Sequence, residues 1–106
     1  MTAENVIVTT TTDSEDAARS LAAGAIEARL GACAQVLGPV TSVYRWEGAV
    51  QTEPEWRVEI KTTARRSEEL TAHLLEHHTY DTPEVITTPI TGGSPAYLTW
   101  LEEETR

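Results

Sequence analysis

Cysteine is almost absent from this chain of 106 residues, since Cys33 is its one cysteine. An internal disulfide is therefore excluded, and with it the cross-linked framework that small secreted domains use to stabilise a small core. The N-terminal residues have no basic flank and only a short apolar run, Val6 to Val8, so the sequence predicts no signal peptide. We therefore expect the reducing environment of the cytoplasm.

Basic residues and long apolar runs are scarce as well. Eight Lys and Arg stand against seventeen Asp and Glu, which gives a formal net charge of −9. This excess opposes binding to the phosphates of nucleic acid and to anionic lipid, so we expect neither nucleic acid nor a membrane as a partner. No stretch approaches the roughly 20 apolar residues that cross a bilayer. Negative charge also attracts cations, but most acidic proteins use it only for solubility, so charge alone does not predict a metal site.

Sequence signatures of catalysis are missing too. The chain has no hydrolase-type order of serine, histidine and aspartate, no phosphate-binding loop, no zinc signature and no dinucleotide fingerprint. Glu53 and Glu55 form a carboxylate pair, which the period-two exposure of a strand explains without catalysis. We predict that the protein is not an enzyme.

The pattern of β-branched residues, caps and helix breakers predicts the order of secondary structure elements. The predicted strands are 5–12, 32–46, 50–63 and 84–90, with a hairpin turn at 47–49. The predicted helices run from a cap at Thr12 to near Gly31, from a cap at Ser67 to about His78, and onward from Ser94 and Pro95. This is the order of the split βαβ motif. We predict the α+β class: one ferredoxin-like βαββαβ domain over residues 1–106, with a long central hairpin and a short C-terminal helix.

Two patterns predict which side chains pack in the interior. The second hairpin arm alternates between an apolar face and a charged face. The apolar face carries Trp56, Val58, Ile60 and Thr62, and the charged face carries Glu55, Arg57, Glu59 and Lys61. The side chains predicted to dock the last helix are Tyr97, Leu98, Trp100 and Leu101. Pro39 and Pro54 cannot donate to a strand ladder, so each predicts a bulge or an edge position.

The hairpin is longer than the predicted helices can cover. Each arm of about 14 residues spans ~45 Å, whereas a helix of about 17 residues spans only ~25 Å. The distal half nevertheless carries Val43, Tyr44, Trp46 and Val50, and an exposed apolar edge favours aggregation. Either another copy of the chain covers this half, or the hairpin bends back over its own sheet.

Several segments, in order along nearly the whole chain, resemble the CutA family of divalent-cation tolerance proteins. They are residues 31–34 (GACA), 40–48 (VTSVYRWEG), 60–63 (IKTT), 77–85 (HHTYDTPEV) and 97–101 (YLTWL). The resemblance implies a homotrimer of ferredoxin-like subunits, architecturally similar to PII signalling proteins, with clefts between subunits. It also implies a role in tolerance to divalent metal ions, copper in particular.

The resemblance further implies a metal site. His77 and His78 match the histidine pair of the copper site proposed for the family, and imidazole suits Cu2+. The cofactor would be Cu2+ or another divalent cation. The third proposed ligand is a cysteine at the position of Thr10, whose hydroxyl is a poor copper ligand. The alternative is a helix cap with a solvated surface. His73 and His77, four residues apart, offer a second two-histidine geometry, for which no third ligand is visible in the sequence, or else form a half-buried helix face with one solvated ring.

A cleft between subunits is the other implied site. The residues that resemble its lining are Tyr44, Trp46, Lys61, Tyr80 and Glu84, together with the family cysteine Cys33. Aromatic walls with one ammonium and one carboxylate are typical of a small-molecule site and equally of a protein interface. Cys33 is interpreted either as a soft-metal ligand or as a small buried side chain on a central strand. The alternative function is therefore a signalling or scaffolding trimer that binds a metabolite or a partner protein.

Overall fold

The structure is a computed structural model that describes residues 4–106. Over this range the elements are β1 (Asn5–Thr12), α1 (Glu15–Glu27), β2 (Cys33–Trp46), β3 (Ala49–Thr63), α2 (Ser67–His77), β4 (Val85–Ile90) and α3 (Pro95–Glu104). A single 3₁₀ turn, Ala64–Arg66, joins β3 to α2. The predicted βαββαβ order and the additional C-terminal helix are confirmed.

The strands of the described range form one antiparallel sheet in the order β2-β3-β1-β4. β3 pairs with β2 through the hairpin and with β1 on its other side, which leaves β2 at an edge. The prediction that Cys33 lies on a central strand is therefore wrong. Its side chain is half-buried, and its neighbour across the ladder is Lys61. The pairing partners of β3 depend on tertiary contacts that strand propensity alone does not specify.

The core lies between one face of the sheet and helices α1 and α2. The alternation predicted for β3 is confirmed, because Val58, Ile60 and Thr62 are fully buried. Leu70 and Leu74 of α2 pack into the same cluster. These residues make this face of the sheet the apolar layer of the core.

The hairpin projects from this core and does not fold back over its own sheet. Val43, Trp46 and Val50 are 65%, 51% and 62% exposed. Of the two arrangements that the sequence left open, the self-covering one is wrong. The turn has two residues rather than three, because Trp46 still pairs with Ala49. The two turn residues, Glu47 and Gly48, have positive φ values of 49° and 80°. Such values give a two-residue turn the twist of the strands that it joins.

The two hairpin prolines lie where a missing N–H is tolerated. Pro39 lies in the irregularity of the ladder between Leu37 and Val40, as predicted. Pro54 pairs with Thr41 on a part of β3 that lies beyond the last β1 pair, at Trp56, and is therefore an edge on that side.

The helix ends differ in detail from the prediction. Ser14, not Thr12, caps α1, since its hydroxyl accepts the N–H of Ala17 at 3.1 Å while Thr12 is fully buried. Ser67 does not cap α2 but donates its hydroxyl to the Ala64 carbonyl at 2.8 Å. Pro95 begins α3, as predicted.

The docking predicted for α3 is only partly confirmed. Leu101 is fully buried. Tyr97 and Trp100 instead stay 40% and 39% exposed, with their ring centroids 5.5 Å apart. These two aromatic rings therefore add to the apolar surface that the chain leaves uncovered.

Candidate functional site

The first concave surface lies between the distal hairpin and the loop that precedes β4. We call it the hairpin cleft; it encloses about 640 Å3. Its aromatic and acidic lining consists of Tyr44, Trp46, Tyr80, Asp13, Glu53, Glu55, Asp81 and Glu84. Ser42 of β2 pairs with Glu53 of β3, and this register places alternate side chains of both hairpin arms on one face of the ladder. The 79–84 loop forms the opposite wall of the cleft.

One hydrogen bond joins the two walls of the hairpin cleft. The Tyr80 hydroxyl donates to the Glu55 carboxylate at 2.9 Å. Burial, and then this hydrogen bond, raise the pKa of Tyr80 above its ordinary value, so the phenol stays protonated at neutral pH. Among the lining residues, all within 4–106, five carry carboxylates and none is Lys or Arg. The hairpin cleft is thus an aromatic-walled surface of negative potential.

Four of the six residues that the resemblance assigned to a cleft come together here. Tyr44, Trp46, Tyr80 and Glu84 all line the hairpin cleft. Cys33 and Lys61 do not line it; they pair with each other at the other end of the β2–β3 ladder. There the Lys61 ammonium donates to the Gln35 side-chain oxygen at 3.0 Å.

Four acidic residues of the hairpin cleft were missed from the sequence. They are Asp13, Glu53, Glu55 and Asp81. Glu53 and Glu55 were interpreted only as the solvated side of a strand. The available signal was their period-two spacing, because the ladder is regular from the turn to the Val40–Glu55 pair and places both carboxylates on the same face as Tyr44.

The second concave surface lies between α1 and α2, and we call it the helix groove. It encloses about 290 Å3. Its lining consists of Thr12, Ala17, Ser20, Leu21, Gly24, His73, His77 and Thr79. The two histidines lie on the same face of α2 because they are four residues apart.

His77 has one ring nitrogen fixed and one available. Its Nδ1 lies 2.8 Å from the carbonyl oxygen of His73. A carbonyl oxygen only accepts, so Nδ1 carries the proton and donates. The ring is exposed, and its Nε2 therefore keeps a free lone pair at the helix groove.

His78 has both ring nitrogens engaged. Its Nε2 donates to the Thr11 carbonyl at 2.9 Å, and its Nδ1 accepts the N–H of Tyr80 at 3.0 Å. The ring lies beside that of Tyr80, with centroids 4.9 Å apart. His78 thus anchors the 79–84 loop to β1 and has no free lone pair for a metal. The structure does not bring His77 and His78 to one open site.

Residues 6–104 of the chain match the sequence profile of the family described as CutA1 divalent ion tolerance protein. The chain belongs to the CutA1 family. The divalent-cation tolerance protein CutA of Citrobacter koseri is 40% identical over 103 residues, which cover 97% of this chain and 90% of that protein. The chloroplastic CutA protein of Arabidopsis thaliana is 42% identical over 105 residues, but this chain spans only 58% of its length.

Solved CutA1 structures have the same fold. The crystal structure of CutA1 from Oryza sativa superposes with a TM-score of 0.94 at 41% identity, covering 99% of this chain and 96% of that chain. The structure of CutA from Archaeoglobus fulgidus, which is named periplasmic, gives a TM-score of 0.93 at 26% identity, covering 96% of this chain and 99% of that chain. The CutA family and the ferredoxin-like α+β fold that the sequence predicted are confirmed.

The position at which the CutA1 resemblance placed a cysteine ligand is closed in this chain. Thr10 is fully buried, and its hydroxyl has no hydrogen-bond partner among residues 4–106. Nor does any group of three or more His, Cys, Asp or Glu side chains within that range form a ready metal site.

The unpaired hydroxyl of Thr10 leads to a stability prediction. We expect Thr10→Val to raise the free energy of unfolding by about 1 kcal/mol, because it removes a buried unsatisfied polar group and conserves shape. The matched control is Thr62→Val, since Thr62 is equally buried but donates to the Leu30 carbonyl at 2.6 Å. The Thr62→Val variant should lose about 1 kcal/mol of unfolding free energy, because it removes this hydrogen bond. Urea unfolding measures both, and a loss of stability in Thr10→Val would contradict the prediction.

Proposed function

We propose that this CutA1 protein is a homotrimer that binds a divalent transition-metal ion, Cu2+ in particular, and contributes in this way to cation tolerance. The observation that carries the proposal is the free Nε2 of His77 at an open groove, with Nδ1 held by a backbone carbonyl. Metal-ligating histidines typically donate their other N–H to such an oxygen, which fixes the tautomer and orients the ring. Imidazole nitrogen is a ligand well suited to copper.

The predicted partner of His77 in the metal site was His78. For that ring to bind a metal, it has to give up one of its hydrogen bonds, to the Thr11 carbonyl or to the Tyr80 N–H. Both bonds hold the 79–84 loop, so recruiting His78 would couple metal binding to a rearrangement of the hairpin cleft.

Calorimetric titration with Cu2+ tests the metal proposal. We expect wild type to bind and a His77→Ala/His78→Ala double variant to lose that binding. Cys33→Ser is the control for a thiol contribution and should titrate as wild type does. Identical isotherms for wild type and the double variant would show that neither histidine takes part.

Self-association is supported by the apolar surface that one chain leaves uncovered. Five large apolar residues of the hairpin are at least 38% exposed: Leu37, Val43, Tyr44, Trp46 and Val50. A patch of this kind marks an interface in a soluble protein. The number of subunits, three, rests on the family resemblance.

A second candidate function is the binding of a small molecule or a partner protein in the hairpin cleft, as in a PII-like signalling or scaffolding trimer. The supporting observation is the cleft volume of about 640 Å3, which is within the usual range of ligand pockets. A metabolite that raises the melting temperature in the presence of EDTA would favour this function over metal binding.

The cytoplasm is the proposed compartment, because the one cysteine leaves the chain without an internal disulfide. Relatives are named chloroplastic and periplasmic, so the compartment varies within the family. Between residues 4 and 106, no helix is long and apolar enough to cross a membrane. We propose ion binding rather than catalysis, in line with the tolerance function for which the CutA1 family is named.

A further inference from the structure

We propose that His73, rather than His78, is the second imidazole of the metal site, so that His73 and His77 bind one divalent transition-metal ion in the helix groove. This inference rests on the metal binding proposed above and assigns its ligands. The two rings already lie side by side on α2 in a tilted arrangement, with centroids 4.2 Å apart and planes at 32° to each other.

The spacing of the two rings suits chelation. Two nitrogens bound to one ion at about 2.0 to 2.1 Å, at a right angle, lie about 3 Å apart. Rings whose centroids are 4.2 Å apart are close enough to be compatible with that nitrogen separation. Histidines at i and i+4 of one helix are a recurrent chelating pair for the same reason.

The ring nitrogens needed for binding are available. His77 keeps its Nε2 free because its Nδ1 donates to the main-chain carbonyl of His73. This hydrogen bond also holds the His77 ring next to His73, the other proposed ligand. The His73 Nε2 faces α1 beside Gly24, where even a Cβ atom would lie only 3.4 Å away. The absence of a side chain at Gly24 therefore leaves space around the His73 ring.

The helix groove has room and chemistry for the rest of a coordination shell. Its volume of about 290 Å3 accommodates several waters, each of which takes about 30 Å3. Ser20 and Thr79 contribute hydroxyl groups to the lining that can hydrogen-bond metal-bound water. A site of two imidazoles and several waters matches the nitrogen and oxygen coordination that Cu2+ accepts.

His78 has the opposite properties. Its two nitrogens are both in hydrogen bonds, and it is not among the residues that line the helix groove. It follows His77 in sequence, but α2 ends at His77 and His78 is already extended, with φ −74° and ψ 148°. Because the backbone changes direction between the two residues, adjacency in sequence does not place both rings on one helix face.

Single substitutions distinguish the two assignments. We expect His73→Gln and His77→Gln each to weaken Cu2+ binding by at least about tenfold, because each removes one arm of a chelate. The matched control is His78→Gln, which should stay within about twofold of wild type. Electron paramagnetic resonance of wild type with one equivalent of Cu2+ should show hyperfine coupling to two imidazole nitrogens, and to one in His73→Gln.

The outcomes separate this inference from the function on which it rests. If His78→Gln loses Cu2+ binding and His73→Gln keeps it, the assignment to His73 is overturned while metal binding stands. If wild type binds Cu2+ through a single imidazole, the assignment is overturned without reference to any variant. If wild type binds no Cu2+, both the assignment and the proposed metal function are overturned.

Discussion

The Val43→Glu/Val50→Glu double variant is expected to be a monomer, with about one third of the solution mass of wild type if the wild type is a trimer. Both side chains lie on the distal hairpin and are 65% and 62% exposed in the single chain. Burying two unpaired carboxylates in an apolar interface costs several kcal/mol each, which is enough to dissociate a subunit contact. Sedimentation velocity or light scattering measures the mass directly.

The matched control is Leu75→Glu. Leu75 is a large apolar residue of α2 with 51% exposure, comparable to the hairpin valines, but it lies away from the hairpin. We expect this variant to keep the wild-type mass. A monomeric wild type, or a double variant that still has the wild-type mass, would contradict the role of the hairpin in self-association.

The Ile60→Ala variant is expected to lose about 3 to 4 kcal/mol of unfolding free energy. Ile60 is fully buried near the C-terminal end of β3, where its neighbours across the ladders are Val8 and Ala34. Gly31 approaches so closely that an added Cβ would clash with the Ile60 Cγ2. The packing is therefore tight, and the smaller side chain leaves a cavity.

Urea unfolding at a fixed protein concentration measures this loss, because self-association makes apparent stability depend on concentration. Leu75→Ala is the control, since an exposed leucine contributes little burial and should change stability by less than about 0.5 kcal/mol. A comparable loss in both variants would mean that Ile60 is not a central core residue.

The fold was predictable because its local patterns agree with its tertiary structure. The β-branched run of β1 has the predicted bounds, and the alternation along β3 predicts its buried face. The edge position of β2 was not predictable, since it depends on which strand pairs with the far side of β3. For the same reason Cys33 and Lys61, assigned by resemblance to a cleft, lie together at the other end of the ladder.

In the candidate metal site, too, some features were predictable from the sequence and others were not. Helical spacing correctly predicts that His73 and His77 share a face, because the period of α2 fixes it. Adjacency of His77 and His78 does not place both rings on one helix face, because the helix ends between them. The burial of Thr10, and the absence of a partner for its hydroxyl among residues 4–106, are visible only in the structure.

The most direct test of the metal-binding account is anomalous diffraction at the copper absorption edge from crystals soaked in Cu2+. We expect one strong peak in the helix groove, within about 2.1 Å of an imidazole nitrogen of His73 and of the Nε2 of His77. A copper peak only at His78, at Cys33 or among the carboxylates of the hairpin cleft would contradict the account, as would the absence of any peak.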